Sequence, residues 1–162
     1  MHAALDIGDA APDFTLPAAL GGKVYQFSLA EALRKGPVVL YFFPAAFSDA
    51  CSIEAHEFAE AIAQFSALGA TVIGVSADDI GTLTKFSTQA CQSKFPVASD
   101  EGLRVIKAYD AQMQTRPEYA NRISYVITPA GQVAYHYQNL EPTRHVQRML
   151  TGLRNWIEKH RK

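Results

Sequence analysis

Val38-Val39-Leu40-Tyr41-Phe42-Phe43-Pro44-Ala45-Ala46-Phe47-Ser48-Asp49-Ala50-Cys51 is the stretch whose reading decides the fold. Its first six residues are apolar, bulky and β-favouring, and they read as a short buried strand. From about Ala50 to Leu68 the apolar residues Ile53, Phe58, Ala61, Ile62, Phe65 and Leu68 recur mostly at helical spacing, and Gly69 closes the segment. Cys51 therefore falls where a strand hands over to a helix, in or near the first helical turn. Backbone N–H groups there have no intrahelical partners, and the helix dipole is positive. Both stabilise a thiolate, so a cysteine meant to react belongs in such a place.

Working outward, Ala70–Ser76 reads as a second buried strand, and Asp78-Asp79 as the start of a helix running to about Cys91. Phe95–Ser99 is a short extended piece, and Leu103, Val105, Ile106 and Tyr109 mark a helix over 102–109. Residues 110–121 are polar, contain Pro117 and lack periodicity, which predicts a loop. Ile123–Thr128 and Val133–Tyr137 flank Pro129-Ala130-Gly131 as a hairpin. Val146, Met149, Leu150, Leu153, Trp156 and Ile157 give the strongest helical pattern in the chain. On the N-terminal side, residues 8–17 read as an extended lead-in broken by prolines. Gly21-Gly22 makes a turn into the strand Val24–Phe27, and Ser28 caps a short helix Leu29–Arg34 that Gly36-Pro37 ends. Alternating β and α units, then a hairpin and a terminal helix, predict one α/β domain over 1–162, its mixed central sheet flanked by helices.

Composition narrows the functions. The chain has 162 residues, 48% of them hydrophobic, and a formal net charge of −1, which suits a substantial core and gives no electrostatic case for nucleic acid or an acidic membrane. No run approaches the roughly 18 apolar residues of a membrane span. Met1 to Asp9 lacks the basic and apolar regions of a secretory signal, so a cytoplasmic location is expected. Two cysteines, Cys51 and Cys91, are too few for a disulfide scaffold, and their spacing excludes C-x-x-C chemistry. No metal-ligand spacing is present, so neither a metal nor another cofactor is expected.

Pro44, Ser48 and Cys51 match the P-x-x-x-(T/S)-x-x-C motif of the peroxiredoxins, and the chain resembles that family over about residues 6–158. Gly8-Asp9-Ala10-Ala11-Pro12-Asp13-Phe14 resembles the family's N-terminal signature, and Tyr41-Phe42-Phe43-Pro44 its approach to the active-site loop. Arg122, in Arg122-Ile123-Ser124-Tyr125-Val126-Ile127-Thr128-Pro129, resembles the arginine of the family's R-x-x-(F/Y)-(V/L)-I-D-P strand, with Thr128 in place of the aspartate. Glu54 falls where many members carry glutamate. The resemblance implies a thioredoxin fold with an N-terminal extension and internal additions. It also implies a thiol peroxidase in which Cys51 attacks peroxide, assisted by Pro44, Ser48 and Arg122, with Glu54 in support.

Physical chemistry assigns these residues compatible roles. A free thiol with pKa ~8.5 is about 3% ionised at pH 7, so complete ionisation accelerates attack by at most ~30-fold, roughly 2 kcal/mol. The rest of a specialised peroxidase's advantage must come from groups that hold the peroxide and stabilise the departing oxygen. Arg122 offers a permanent charge and fixed donors. Ser48 can donate or accept a hydrogen bond, and Pro44 stiffens the loop and walls the pocket. Blander readings stand beside these: Ser48 as a helix cap, Pro44 as a strand terminator, Arg122 as a surface arginine with Arg116 its competitor. His56 lies about 500° around the helix from Cys51 and reads as a surface residue. His136, His145 and His160 show no partner pattern.

The sulfenic acid formed on Cys51 must be resolved by another thiol. Members of the Q (bacterioferritin-comigratory) group often place that cysteine five residues after the first, where this chain has His56. A second arrangement in that group puts it near the end of the following helix, where Cys91 lies. Ala45-Ala46-Phe47, in contrast, resembles one-cysteine members of the alkyl hydroperoxide reductase E type. The resemblance thus implies a small-molecule peroxide substrate and a thioredoxin-like or other thiol reductant, with a monomer favoured over a dimer. The alternatives are a one-cysteine peroxidase, or a thioredoxin-fold redox or binding module without peroxidase activity.

Overall fold

The computed structural model describes residues 4–160. Among these, seven strands form one sheet: β1 Thr15–Leu20, β2 Lys23–Ser28, β3 Val38–Phe42, β4 Thr71–Ser76, β5 Val97–Ser99, β6 Ile123–Ile127 and β7 Val133–Gln138. The helices are α1 Leu29–Lys35, α2 Asp49–Ala67, α3 Ile80–Gln89, α4 Arg104–Ala108 and α5 His145–Lys159. The sheet runs β2-β1-β5-β4-β3-β6-β7. It is mixed: β3, β4 and β5 are parallel neighbours, and the remaining pairs are antiparallel.

β3 is central, and the period-two rule shows in its packing. Val38, Leu40 and Phe42 enter one apolar cluster together with residues of α1 and α4. Val39 and Tyr41, followed by Phe43, enter the other together with residues of α2, α3 and α5. Both faces are therefore covered, as the unbroken apolar run requires. Tyr41 stacks on Phe58 of α2 with ring centroids 4.3 Å apart. Its ring lies so close to β4 that a Cβ on Gly74 would sit 2.9 Å from it, so only glycine fits there.

Four expectations are corrected by the structure. The lead-in 8–17 contains the start of a full strand, β1, which pairs with β2 from Thr15 to Leu20 despite Pro17. Its ladder to β5 begins only at Ala18, beyond the proline that has no N–H to give. The helix anticipated over 102–109 is shorter, Arg104–Ala108, and is entered through Leu103 in the left-handed region at φ 60°. The strand within Phe95–Ser99 covers Val97–Ser99 alone. Helix α3 ends at Gln89, so Cys91 lies in the turn beyond it.

Register brings the functional segments together. Phe42 opposes Ile123 across the β3–β6 ladder. Arg122, one residue before β6, therefore stands beside the end of β3 from which the Cys51 loop departs. Helix α5 follows a 3₁₀ turn at Pro142–Arg144 and brings its first residue, His145, to the same end of β6. Among the described residues, no helix is long and apolar enough to cross a membrane.

Candidate active site

The Cys51 loop is built by local hydrogen bonds. Ser48 has extended dihedrals and accepts the backbone N–H of Cys51 at 3.3 Å, capping α2. Its own hydroxyl donates to the Ala45 carbonyl at 3.1 Å. The capping reading and the motif reading thus meet in one residue, although the side chain is exposed and both of its contacts are to backbone. Phe47 turns the loop with φ 67°, and its ring rests edge-on against Phe86 of α3 at 5.3 Å. The Ala46 N–H donates to Asp78 at 2.7 Å, which ties the loop to the end of β4. Pro44 is half-buried before the turn.

Cys51 is the third residue of α2 and only 1% exposed. Arg122 reaches it: Nη2 donates to Sγ at 3.4 Å. The same guanidinium donates through Nη1 to Oε1 of Glu54 at 2.6 Å and through Nε to the Leu140 carbonyl at 2.8 Å. All three side chains are buried, Arg122 at 3% and Glu54 at 0% exposure. The fork geometry serves two acidic side chains at once, which an ammonium could not do from one fixed plane. Arg116, the competitor, lies on the exposed loop, paired with Glu118 at 3.4 Å and stacked over Tyr119.

Burial shapes the electrostatics. Burial alone would push the Arg122 guanidinium down, yet Glu54 and Cys51 outweigh it and hold the group above its ordinary value. The Glu54 carboxyl is pushed up to about 8 by burial, which Arg122 offsets only in part. Its second oxygen, Oε2, has no hydrogen-bond partner.

Sequence reasoning missed His145. It is fully buried, with Nδ1 2.7 Å from the Ser124 hydroxyl and 3.6 Å from Oε2 of Glu54, and Nε2 2.7 Å from the Asn139 carbonyl. The signal was available: His145 stands four residues before Met149 and eight before Leu153, on the stripe that α5 buries. His56 is exposed as anticipated, bonded to Gln92 at 2.8 Å and paired with Glu60 at 3.2 Å.

Cys91 is free, as is Cys51, and both belong to the apolar cluster under α2 and α3. Burial pushes the Cys91 thiol well up. The turn that carries it continues through Gln92 and Ser93, both left-handed at φ 54° and 57°. Such backbone costs a non-glycine residue on the order of 1 kcal/mol each.

A model of the AhpC/TSA family matches residues 7–136. A putative peroxiredoxin bcp from Helicobacter pylori (strain J99) is 32% identical over 154 residues, spanning 92% of this chain and 98% of that protein. The chloroplastic peroxiredoxin Q of Oryza sativa subsp. japonica is 34% identical over 149 residues, 91% of this chain; the match spans 66% of the rice protein's length. Among solved structures, the peroxidoxin BcpB of Mycobacterium tuberculosis superposes with a TM-score of 0.84 at 26% identity, covering 93% of this chain and 97% of that one. The sheet order, the Cys51 loop and these relatives agree, and the chain belongs to the AhpC/TSA family, as a peroxiredoxin with a thioredoxin fold.

Proposed function

We propose that this peroxiredoxin is a thiol-dependent peroxidase whose nucleophile is Cys51. The observation that carries the reading is the 3.4 Å contact from Arg122 to Sγ at the capped start of α2. The Cys51 thiolate attacks the terminal peroxide oxygen. An S–O bond forms, the O–O bond breaks, and its electron pair leaves on the distal oxygen, which takes a proton to become water or an alcohol. Arg122 stabilises the thiolate and then the charge moving onto the departing oxygen. Ser48 fixes the first turn through the Cys51 N–H, Pro44 walls the loop, and Glu54 orients the guanidinium. Hydrogen peroxide and organic hydroperoxides both fit this scheme, since the reacting atoms are common to them.

In this reading Cys91 resolves the sulfenic acid as an intramolecular disulfide, which a thioredoxin-like protein then reduces. Two features support it: Cys91 sits outside α3, in a turn of two left-handed residues, and that turn loses strain when it opens. Full burial of Cys91 favours the one-cysteine alternative, in which an external thiol resolves Cys51. A monomer in the cytoplasm completes the proposal. Titrating thiols before and after one equivalent of peroxide separates the readings. Loss of both thiols supports resolution by Cys91, loss of Cys51 alone supports external resolution, and no loss overturns the peroxidase reading.

A further inference from the structure

Arg122 supplies a single positive charge to two buried acids. With Cys51 as a thiolate and Glu54 as a carboxylate, the cluster would carry one uncompensated buried anion, an arrangement proteins avoid. Oε1 of Glu54 is satisfied by Arg122, but Oε2 is fully enclosed and has no donor. It faces Nδ1 of His145 at 3.6 Å. The tautomer of that ring follows from its other contact. Nε2 lies 2.7 Å from a carbonyl, which only accepts, so Nε2 carries the hydrogen and Nδ1 of the neutral ring is bare. A carboxylate at Oε2 would then stand 3.6 Å from a ring nitrogen whose one lone pair already accepts the Ser124 hydroxyl, so it would gain no donor from the ring.

We infer that Glu54 and His145 together hold one proton, on Oε2 directed at Nδ1, whenever Cys51 is a thiolate, and that they release it as the sulfur is oxidised. Both are positioning residues: held neutral, the pair leaves the Arg122 charge to the sulfur. The inference rests on the proposed role of Cys51. With the ring neutral the Ser124 hydroxyl donates to Nδ1 beside the Oε2 proton, and with the proton on Nδ1 it turns to accept. The other charged or titratable groups within reach of the pair are Cys51 and Glu57 on α2, Tyr41 on β3, and Glu141 before α5. Burial moves the two members in the directions required, Glu54 up to about 8 and His145 down to about 4.

The proton balance follows. Attack by the thiolate yields a sulfenic acid and an alkoxide or hydroxide that needs a proton. Once the sulfur is neutral, Glu54 becomes the only anion beside Arg122 and gives its proton up. Solvent therefore supplies no net proton per Cys51 oxidised, and condensation with Cys91 releases water without changing the count.

Two measurements on the whole chain test this. Infrared spectra of the reduced protein at pH 7 should contain the carbonyl stretch of a protonated carboxylic acid, lost in Glu54→Gln and shifted in His145→Gln. A pH indicator in weak buffer should record no net proton uptake when wild-type protein meets one equivalent of hydrogen peroxide. Glu54→Gln, which keeps a donor toward His145 but cannot release a proton, should take up a full proton per Cys51 oxidised. Absence of the band, a band indifferent to either substitution, or full uptake by the wild type overturns the inference. Failure of the peroxidase reading is distinguishable, because no sulfenic acid would then form on Cys51 while the reduced-state band stays readable.

Discussion

Arg122 and Cys51, 71 positions apart in the chain, meet with Nη2 3.4 Å from Sγ in a site closed to solvent. The contact exists because Phe42 and Ile123 are paired across β3 and β6, so the residue before one strand stands beside the loop after the other. A sheet register thereby fixes the distance between Arg122 and Cys51.

Arg122→Lys tests whether this contact acts beyond ionisation. Lysine keeps a charge but cannot hold Sγ, Glu54 and the Leu140 carbonyl together. Oxidation of Cys51 should slow by well over the ~30-fold that ionisation alone can supply. Stopped-flow rates at pH 7 and at pH 10, above the ordinary thiol range, would show the deficit at both. Recovery to near the wild-type rate at the higher pH would make ionisation the whole effect.

Ser48→Ala removes the α2 cap. The Cys51 N–H loses its 3.3 Å acceptor, and caps of this kind contribute ~1 kcal/mol. Chemical denaturation should record a loss of about that size, and Ser48→Thr should restore most of it. An unchanged midpoint for the alanine variant would show that the cap contributes nothing measurable.

The buried pair makes stability depend on pH. The folded value of Glu54 is raised from 4.5 to about 8, so its contribution is full below 4.5 and is lost as pH rises to about 8. That of His145 is lowered from 6.5 to about 4, so its contribution is full above 6.5 and is lost as pH falls to about 4. From 4.5 to 6.5 the two slopes cancel, and above 6.5 only the Glu54 slope remains. Unfolding free energy should therefore decline between pH 6.5 and 8, by at most ~1.4 kcal/mol per pH unit. Denaturant melts of Glu54→Gln should lack the decline; an equal decline in that variant would assign it to other groups.

Much of this was legible in the sequence because local physics decided it. The six-residue apolar run marked β3 as a buried strand, which the structure covers on both faces, and Ser48 ahead of a helical pattern offered the cap. Arg122 was found through its motif; spacing alone left Arg116 in competition. Other features depended on partners distant in sequence. β1 tolerates Pro17 because its ladder to β5 starts one residue later, a fact of pairing. Cys91 falls outside α3, which ends at Gln89, and the chain turns beyond it through left-handed Gln92 and Ser93, neither a residue type that signals such backbone. His145 acquires its partners only when α5 packs beside β6 and α2, and one-dimensional periodicity shows its burial without naming Glu54.

The nucleophile itself is tested most directly by mass spectrometry after one equivalent of hydrogen peroxide, applied to Cys51→Ser and Cys91→Ser in parallel. If Cys51 is the nucleophile, a one-oxygen adduct forms on Cys51 in the Cys91→Ser protein, and neither adduct nor peroxide consumption is seen in the Cys51→Ser protein. An adduct on Cys91 with sustained turnover in the Cys51→Ser protein would contradict it.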